Sequence, residues 1–234
     1  LEIPPPAMDN TLAVDLQEGT GIAQELIPPS LGIVFDLDTP SDLLILGVTS
    51  FLGPRGKKAL DTLSLDLSRI KKAREVLAGD YEEILLMGRV GGPIISRMNL
   101  NLKARLRVFS EERGMKALGR MKRMEVVSLM GYFLEEVGVK GFFEYISRVA
   151  ACAFIDSRVL AHYRYDLPAQ ERFLSDLGCW QEINHPWLRE FTRAAVQCRV
   201  PVILGGHSLV SGGLWSLSCE LEPLSGLPGS VSRG

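Results

Sequence analysis

Near the carboxyl end, Gly206-His207-Ser208 follows the apolar run Pro201-Val202-Ile203-Leu204 and sets an imidazole beside a hydroxyl. That local order is how a serine hydrolase can present its nucleophile. An α/β-hydrolase elbow needs glycine two residues before and two after the serine, because the sharp turn leaves no room for larger side chains. Gly206 fills the first position, but Val210 stands at the second. The acid and the histidine of that family follow the nucleophile in the chain. Downstream of Ser208 there is no histidine or aspartate, only Glu220 and Glu222, and neither His162 nor His185 has an acid beside it. A serine hydrolase using Ser208 is therefore carried as an alternative. The expected conformation is a wide loop containing Gly205, Gly206, Gly212 and Gly213, joining a strand over Val200–Leu204 to a returning strand over Leu214–Leu221.

Three other groupings carry potential chemistry. Gly88-Arg89-Val90-Gly91-Gly92-Pro93 follows a strand-like segment, as a phosphate loop would. A phosphate loop must open a helix whose first amides receive the anion, and the residues after it alternate like a strand, so it reads as a turn. The carboxylate pairs Glu82-Glu83, Glu111-Glu112 and Glu135-Glu136 are adjacent residues, which diverge by about 100° on a helix, and they read as solvated charge. Cys152, Cys179, Cys198 and Cys219 lie far apart with no C-x-x-C pair and three histidines in the whole chain. Reduced thiols in a reducing, cytosolic-type compartment are expected, with no metal, cofactor or catalytic residue assigned.

The most distinctive feature is the charge layout. The formal net charge is −2, which argues against a protein that coats nucleic acid with its whole surface. Two segments are nonetheless strongly positive. One carries Lys103, Arg105, Arg107, Arg113, Lys116, Arg120, Lys122 and Arg123 against Glu111 and Glu112; the other carries Arg55, Lys57, Lys58, Arg69, Lys71, Lys72 and Arg74 against Asp61 and Asp66. The remainder is correspondingly negative. Clustered cations bind anionic headgroups at roughly 1 kcal/mol per residue or nucleic-acid phosphates. The expected anion-binding set is Arg55, Lys57, Lys58, Lys71, Lys72, Arg74, Lys103, Arg105, Arg107, Arg113, Lys116, Arg120, Lys122 and Arg123. No aromatic side chain interleaves the basic strand, as base stacking would need. Opposite charge in the remainder allows self-association.

At 234 residues and 46% hydrophobic the chain can bury a sizeable core. Its longest apolar stretch, Leu43–Leu52, is half of what a membrane span needs. The opening at Leu1, without methionine or a charged n-region, reads as a fragment and not as a secretory signal. Residues 1–30, with Pro4-Pro5-Pro6 and Pro28-Pro29, are expected to form an extended arm. Residues 31–222 are expected to form one α+β domain with an antiparallel or mixed sheet flanked by helices, and 223–234 a flexible tail.

Within the domain, Leu31–Leu37 reads as a strand and Thr39-Pro40-Ser41-Asp42 as a helix start. Leu43–Leu52 reads as helix or strand, and Gly53–Gly56 as a turn. Thr62–Ile70 reads as a half-buried strand running into a short helix at Lys71–Ala78, and Glu82–Met87 as a strand. Met98–Val108 alternates apolar and polar residues and predicts a long strand with a basic outer face. Helices are expected over Met121–Val137, ended by Gly138; from Gly141 or Phe142 to about His162; over Pro168–Leu177; and over Pro186–Cys198, capped by Asn184.

The order of proline-rich arm, basic strand, helix and then Gly138-Val139-Lys140-Gly141-Phe142-Phe143-Glu144-Tyr145-Ile146 resembles the matrix proteins of rhabdovirus-type enveloped viruses. Pro4-Pro5-Pro6 resembles their budding motif, with Ala7-Met8 where that motif has a tyrosine. The likeness covers about Met98–Ala153. It implies a non-enzymatic assembly protein, peripheral to the membrane on its cytoplasmic side, that binds anionic lipid or nucleocapsid and self-associates. An RNA-binding nucleocapsid-type protein is the rival binding role.

Overall fold

A computed structural model of the chain describes residues 12–25, 27–115, 119–162 and 165–221. The triple proline, Lys116 and the expected tail lie outside them. In chain order the elements are α1 (Leu12–Thr20), α2 (Leu31–Val34), α3 (Pro40–Leu46), α4 (Pro54–Asp61), α5 (Ser68–Leu77), β1 (Glu82–Gly88), α6 (Gly92–Asn101), β2 (Ala104–Ser110), α7 (Leu129–Val149), β3 (Cys152–Asp156), α8 (Ser157–His162), α9 (Ala169–Leu177), α10 (Pro186–Val196), β4 (Val202–Gly205) and α11 (Leu214–Leu221). A single π turn, Leu209–Gly213, precedes α11.

The four strands form one sheet in the order β2-β1-β3-β4, and every pairing is parallel. This overturns the expected antiparallel or mixed sheet. Parallel neighbours need a crossover between them, and helices supply it here: α6 joins β1 to β2, α7 joins β2 to β3, and α8 to α10 join β3 to β4. The pleat splits the strands' apolar residues between two cores. Ile84, Leu86, Cys152, Phe154 and Ile203 face one layer with residues of α3, α5, α6 and α11. Leu85, Met87, Ala153, Ile155, Val202 and Leu204 face the other with α7 and α10. Strands covered on both faces have no polar side to reveal them, which is why Cys152–Asp156 reads as a continuation of the preceding helix.

The expected strand over Met98–Val108 is a helix end and a strand start. Ile94, Met98 and Leu102 are buried at a spacing of four, which satisfies a helical face and a two-residue alternation equally well. Leu100 separates the two readings, since a strand would bury it with its neighbours and in the helix it is 84% exposed. True alternation begins only at Ala104.

Other assignments change for local reasons. Leu31–Val34 is a single helical turn, and the polar segment Leu12–Thr20 of the arm is helical. Pro54 opens α4 where a turn was expected, since proline suits a first helical turn. Residues 62–67 form no strand, and the helix beyond them starts at Ser68. The expected return strand at Leu214–Leu221 is α11, with Leu214, Leu217 and Ser218 buried at three- and four-residue spacing. The Thr39–Asp42 helix start holds, with proline in the first turn of α3, and His185 rather than Asn184 caps α10 through its ring nitrogen. Gly138, at φ 70°, breaks α7 at the point where the sequence ends the first helix.

Candidate functional site at the carboxyl edge of the sheet

In an open parallel sheet with helices on both faces, the crevice for a ligand lies beyond the carboxyl ends of the strands, where the strand order reverses. Here β1 is followed by β2 on one side and β3 lies on its other side, so the reversal falls between β1 and β3. The residues gathered there are the ones least expected inside a protein. Asp42, Asp156 and Asp176 are buried, and Arg89 and Arg158 nearly so.

Gly88 ends β1 at φ 109°, and a Cβ on it would lie 2.5 Å from Asp156 Cβ and 3.1 Å from the Asp156 carbonyl oxygen. Only glycine permits both that backbone and that approach. The tight turn aims Arg89 back across β3. Its Nε and Nη2 donate to the two Asp156 oxygens at 2.6 and 3.1 Å, and its backbone N–H adds a third bond at 3.3 Å. This two-pronged pairing is the geometry arginine makes best. Asp156 also accepts the Arg158 N–H, and Arg158 in turn holds both oxygens of Asp176 on α9 at 2.9 and 2.5 Å. Burial raises the Asp176 carboxyl to about 7 against the opposing pull of Arg158.

Beyond β4 the chain does make a strand–turn–helix, as a nucleophile elbow would, and not the expected hairpin. Ser208, however, has ordinary right-handed helical angles (φ −55°, ψ −40°) rather than a strained turn. Its hydroxyl donates to both oxygens of Asp42 at 2.8 Å. That carboxylate also accepts the backbone N–H groups of Asp38 and Thr39 and the Thr39 hydroxyl, so it caps α3. Burial raises the Asp42 pKa, opposed by these same donors. Gly205 and Gly206 admit this end of α3, since a Cβ on either would meet Ser41 Oγ at 2.4 Å or Thr39 Cγ2 at 2.9 Å. Ser208 thus ties β4 to α3. Its neighbour His207 is exposed, and partial burial, together with the Arg89 and Arg113 charges, lowers its pKa below the ordinary value.

The glycine loop after β1 is followed by a helix, so the reason for reading it as a plain turn falls away. Gly91 caps α6, Gly92 and Pro93 begin it, and the Arg113 guanidinium lies over Gly91. Arg113 and His207 therefore lie near the clamped Arg89 at this end of the sheet.

Of the fourteen expected anion-binding residues, six are matched to acids. Lys103 pairs with Asp80 at 3.1 Å, Arg105 and Arg107 share Glu83, Arg120 pairs with Glu112, Arg123 with Glu125, and Arg74 with Glu220 at 3.7 Å. Arg55, Lys57 and Lys58 sit on α4, Lys71 and Lys72 on α5, and Arg113 and Lys122 between β2 and α7; these seven form no ion pair among the described residues. The adjacent glutamates organise that connection. Glu111 accepts the Ser128 hydroxyl and the Leu129 N–H, and Glu112 accepts Arg120 and the Val127 N–H.

Among the described residues, no helix is long and apolar enough to cross a membrane, and no group of three or more acidic, histidine or cysteine side chains is placed to hold a metal ion. None of the four cysteines is in a disulfide; Cys152 is buried and the other three are partly exposed. The arrangement defines the chain by class as a parallel, doubly wound sheet protein with a buried ionic site at its switch point. Comparison with protein families, curated proteins and solved structures finds no match.

Proposed function

We propose that the chain binds a small anionic molecule, carrying a phosphate or carboxylate group, at the crevice between the ends of β1 and β3. The observation that carries this reading is the concentration of charge at that one place: the Arg89–Asp156 clamp seated on Gly88, with Arg113 and His207 near it. Buried ion pairs are costly and contribute little net stability, so their placement in a crevice favours a functional role. Arg113, over Gly91, supplies the positive charge for the anion, and Gly92 has open space beside its backbone. His207, favoured in its neutral form, is the group able to exchange a proton with a bound ligand. The Ser208 hydroxyl is committed to Asp42, and the geometry favours a positioning role for it over a nucleophilic one.

Titration with inorganic phosphate and pyrophosphate, followed by amide chemical shifts, tests the reading. Saturable binding with shifts at Gly88–Gly92 is expected, weakened about tenfold or more by Arg113→Gln, the loss of one charge-assisted contact, and unaffected by Lys71→Gln on α5. Absence of binding at about 10 mM ligand, or equal weakening by both variants, would overturn it.

A second reading retains the anionic-surface role for the exposed, unpaired Arg55, Lys57, Lys58, Lys71 and Lys72 of α4 and α5. Co-sedimentation with vesicles containing acidic lipid, and not with neutral ones, supports it. Equal pelleting with both, or none, removes it.

A further inference from the structure

Two helices of this chain bury nothing. In α1, of nine residues, and in α4, of eight, no residue is buried. Helices of that length are marginal in water by themselves and take most of their stability from a packed face, so each of these lacks the surface that would hold it. Their charges are opposite. α1 carries Asp15 and Glu18 and no cation, and no lysine or arginine precedes Arg55 in the sequence. α4 carries Arg55, Lys57 and Lys58, all exposed and in no ion pair among the described residues, against the single acid Asp61.

The shapes match as the charges do. Beside α4 lies an open cavity of about 430 Å³ whose lining includes Leu46, Leu52, Leu60 and Leu65, together with Lys57 and Asp61. Leu52, Leu60 and Leu65 are only partly buried there. Leu60 follows Lys57 by three positions, so an apolar hollow and a cation share one face of the helix. On α1, Val14 and Glu18 are both exposed and stand four positions apart, which sets an aliphatic side chain and a carboxylate on a common face. The cavity suits the first and Lys57 the second. Beyond α1 the arm keeps this character, with Ile22 60% and Ile27 73% exposed and Glu25 between them.

Both helices belong to one copy, and within that copy neither is buried by the other. We infer that they cover each other between two copies of the chain: α1 of each copy packs on α4 of the other, with Val14 entering the leucine-lined cavity and Glu18 facing Lys57. Reciprocal exchange of an arm makes two such contacts at once and closes the assembly at two copies. Charge complementarity selects this occupant. A second α4 would bring like charge to the cavity, and an acidic lipid surface would answer the cations of α4 but leave α1 uncovered. The acidic, aliphatic arm answers both needs. The inference uses no residue of the crevice and is independent of the ligand reading above.

Charge exchange on the full chain tests the inference, read by light scattering coupled to size exclusion and by sedimentation equilibrium over a dilution series. Wild type is expected at twice 25.8 kDa, with a dissociation constant that rises between about 50 and 500 mM salt as exposed charges are screened. Glu18→Lys and Lys57→Glu, both at exposed positions, are each expected to raise that constant about 10-fold or more, since each change sets like charges together at both contacts of the dimer. Mixing the two variants restores the affinity of wild type, because every contact of the mixed dimer again joins opposite charges. Lys140→Glu, at an exposed position of α7, serves as the control and leaves the dimer intact. A wild-type protein that stays at 25.8 kDa at about 100 μM, far above the Kd of a stable dimer, overturns the inference. So does a dimer that both variants leave intact, and so does a mixture that fails to recover. A Lys57→Glu protein that loses only its binding to acidic-lipid vesicles, with its mass unchanged, overturns it in favour of a membrane role for α4.

Discussion

Replacing Asp156 by alanine isolates the pair on which the crevice is built. The Arg89 and Asp156 side chains are 11% and 0% exposed, and the carboxylate takes two bonds from the guanidinium and one each from the Arg89 and Arg158 amides. Asp156→Ala leaves Arg89 charged, buried and without its partner, a change that costs about 3–5 kcal/mol where it has been measured in other proteins. With a urea dependence of about 3 kcal/mol per molar, suited to a chain of this size, the unfolding midpoint is expected to fall by about 1–2 M at unchanged slope. Removing both charges in Arg89→Met/Asp156→Ala abolishes the uncompensated ion. The double variant is therefore expected within about 2 kcal/mol of wild type, giving a coupling of about 2 kcal/mol or more between the two sites. Equilibrium urea unfolding of the four proteins reads all of these quantities. The reasoning is refuted if the single variant loses less than about 1 kcal/mol, or if the double loses the sum of the two singles.

Three further outcomes follow from the same geometry. Gly88→Ala places a Cβ 2.5 Å from that of Asp156 at φ 109°, and is expected to destabilise by about 2 kcal/mol or more and to shift the Arg89 and Asp156 resonances; a silent variant would show that the turn has slack. Because burial raises the Asp176 carboxyl from 3.8 to about 7, the folded state holds that proton more tightly than the unfolded chain. This contribution is full below about pH 4 and is lost as pH rises to about 7, by at most about 4 kcal/mol; Asp176→Asn flattens that slope, and an unchanged pH profile would contradict the assignment. Burial pushes the Cys152 thiol up to about 12, so it reacts with iodoacetamide only when the whole protein unfolds, while Cys179, Cys198 and Cys219 react first. Early labelling of Cys152 in folded protein would show local opening at β3.

The amino-acid order alone determined elements whose cause is local. Thr39-Pro40-Ser41-Asp42 starts a helix because proline has no amide to lose there and a nearby carboxylate caps the turn. Gly138 ends a helix because it takes a left-handed φ, and the α9 and α10 segments are legible from their apolar spacing. The candidate site was only partly legible. Gly-Arg-Val-Gly-Gly-Pro and Gly-His-Ser were noticed as chemistry-bearing, but whether a helix or a strand follows each depends on Met98 and on Leu214, residues whose spacing fits both.

Tertiary structure decided the rest. A strand buried on both faces loses its two-residue signature, so Cys152–Asp156 merged with its neighbour and the parallel order stayed hidden. Asp156 and Asp176 carry no local mark, because the arginines that hold them are 67 and 18 positions distant in the chain, and the bond from Ser208 to the locally legible Asp42 spans 166. The basic runs were legible as composition, yet the acids that neutralise them, Glu83 for Arg105 and Arg107 and Glu220 for Arg74, arrive only on folding. A backbone bond or a cap depends on residues a few positions apart, whereas an ion pair needs only closeness in space, and that closeness is set by the packing of helices on the sheet.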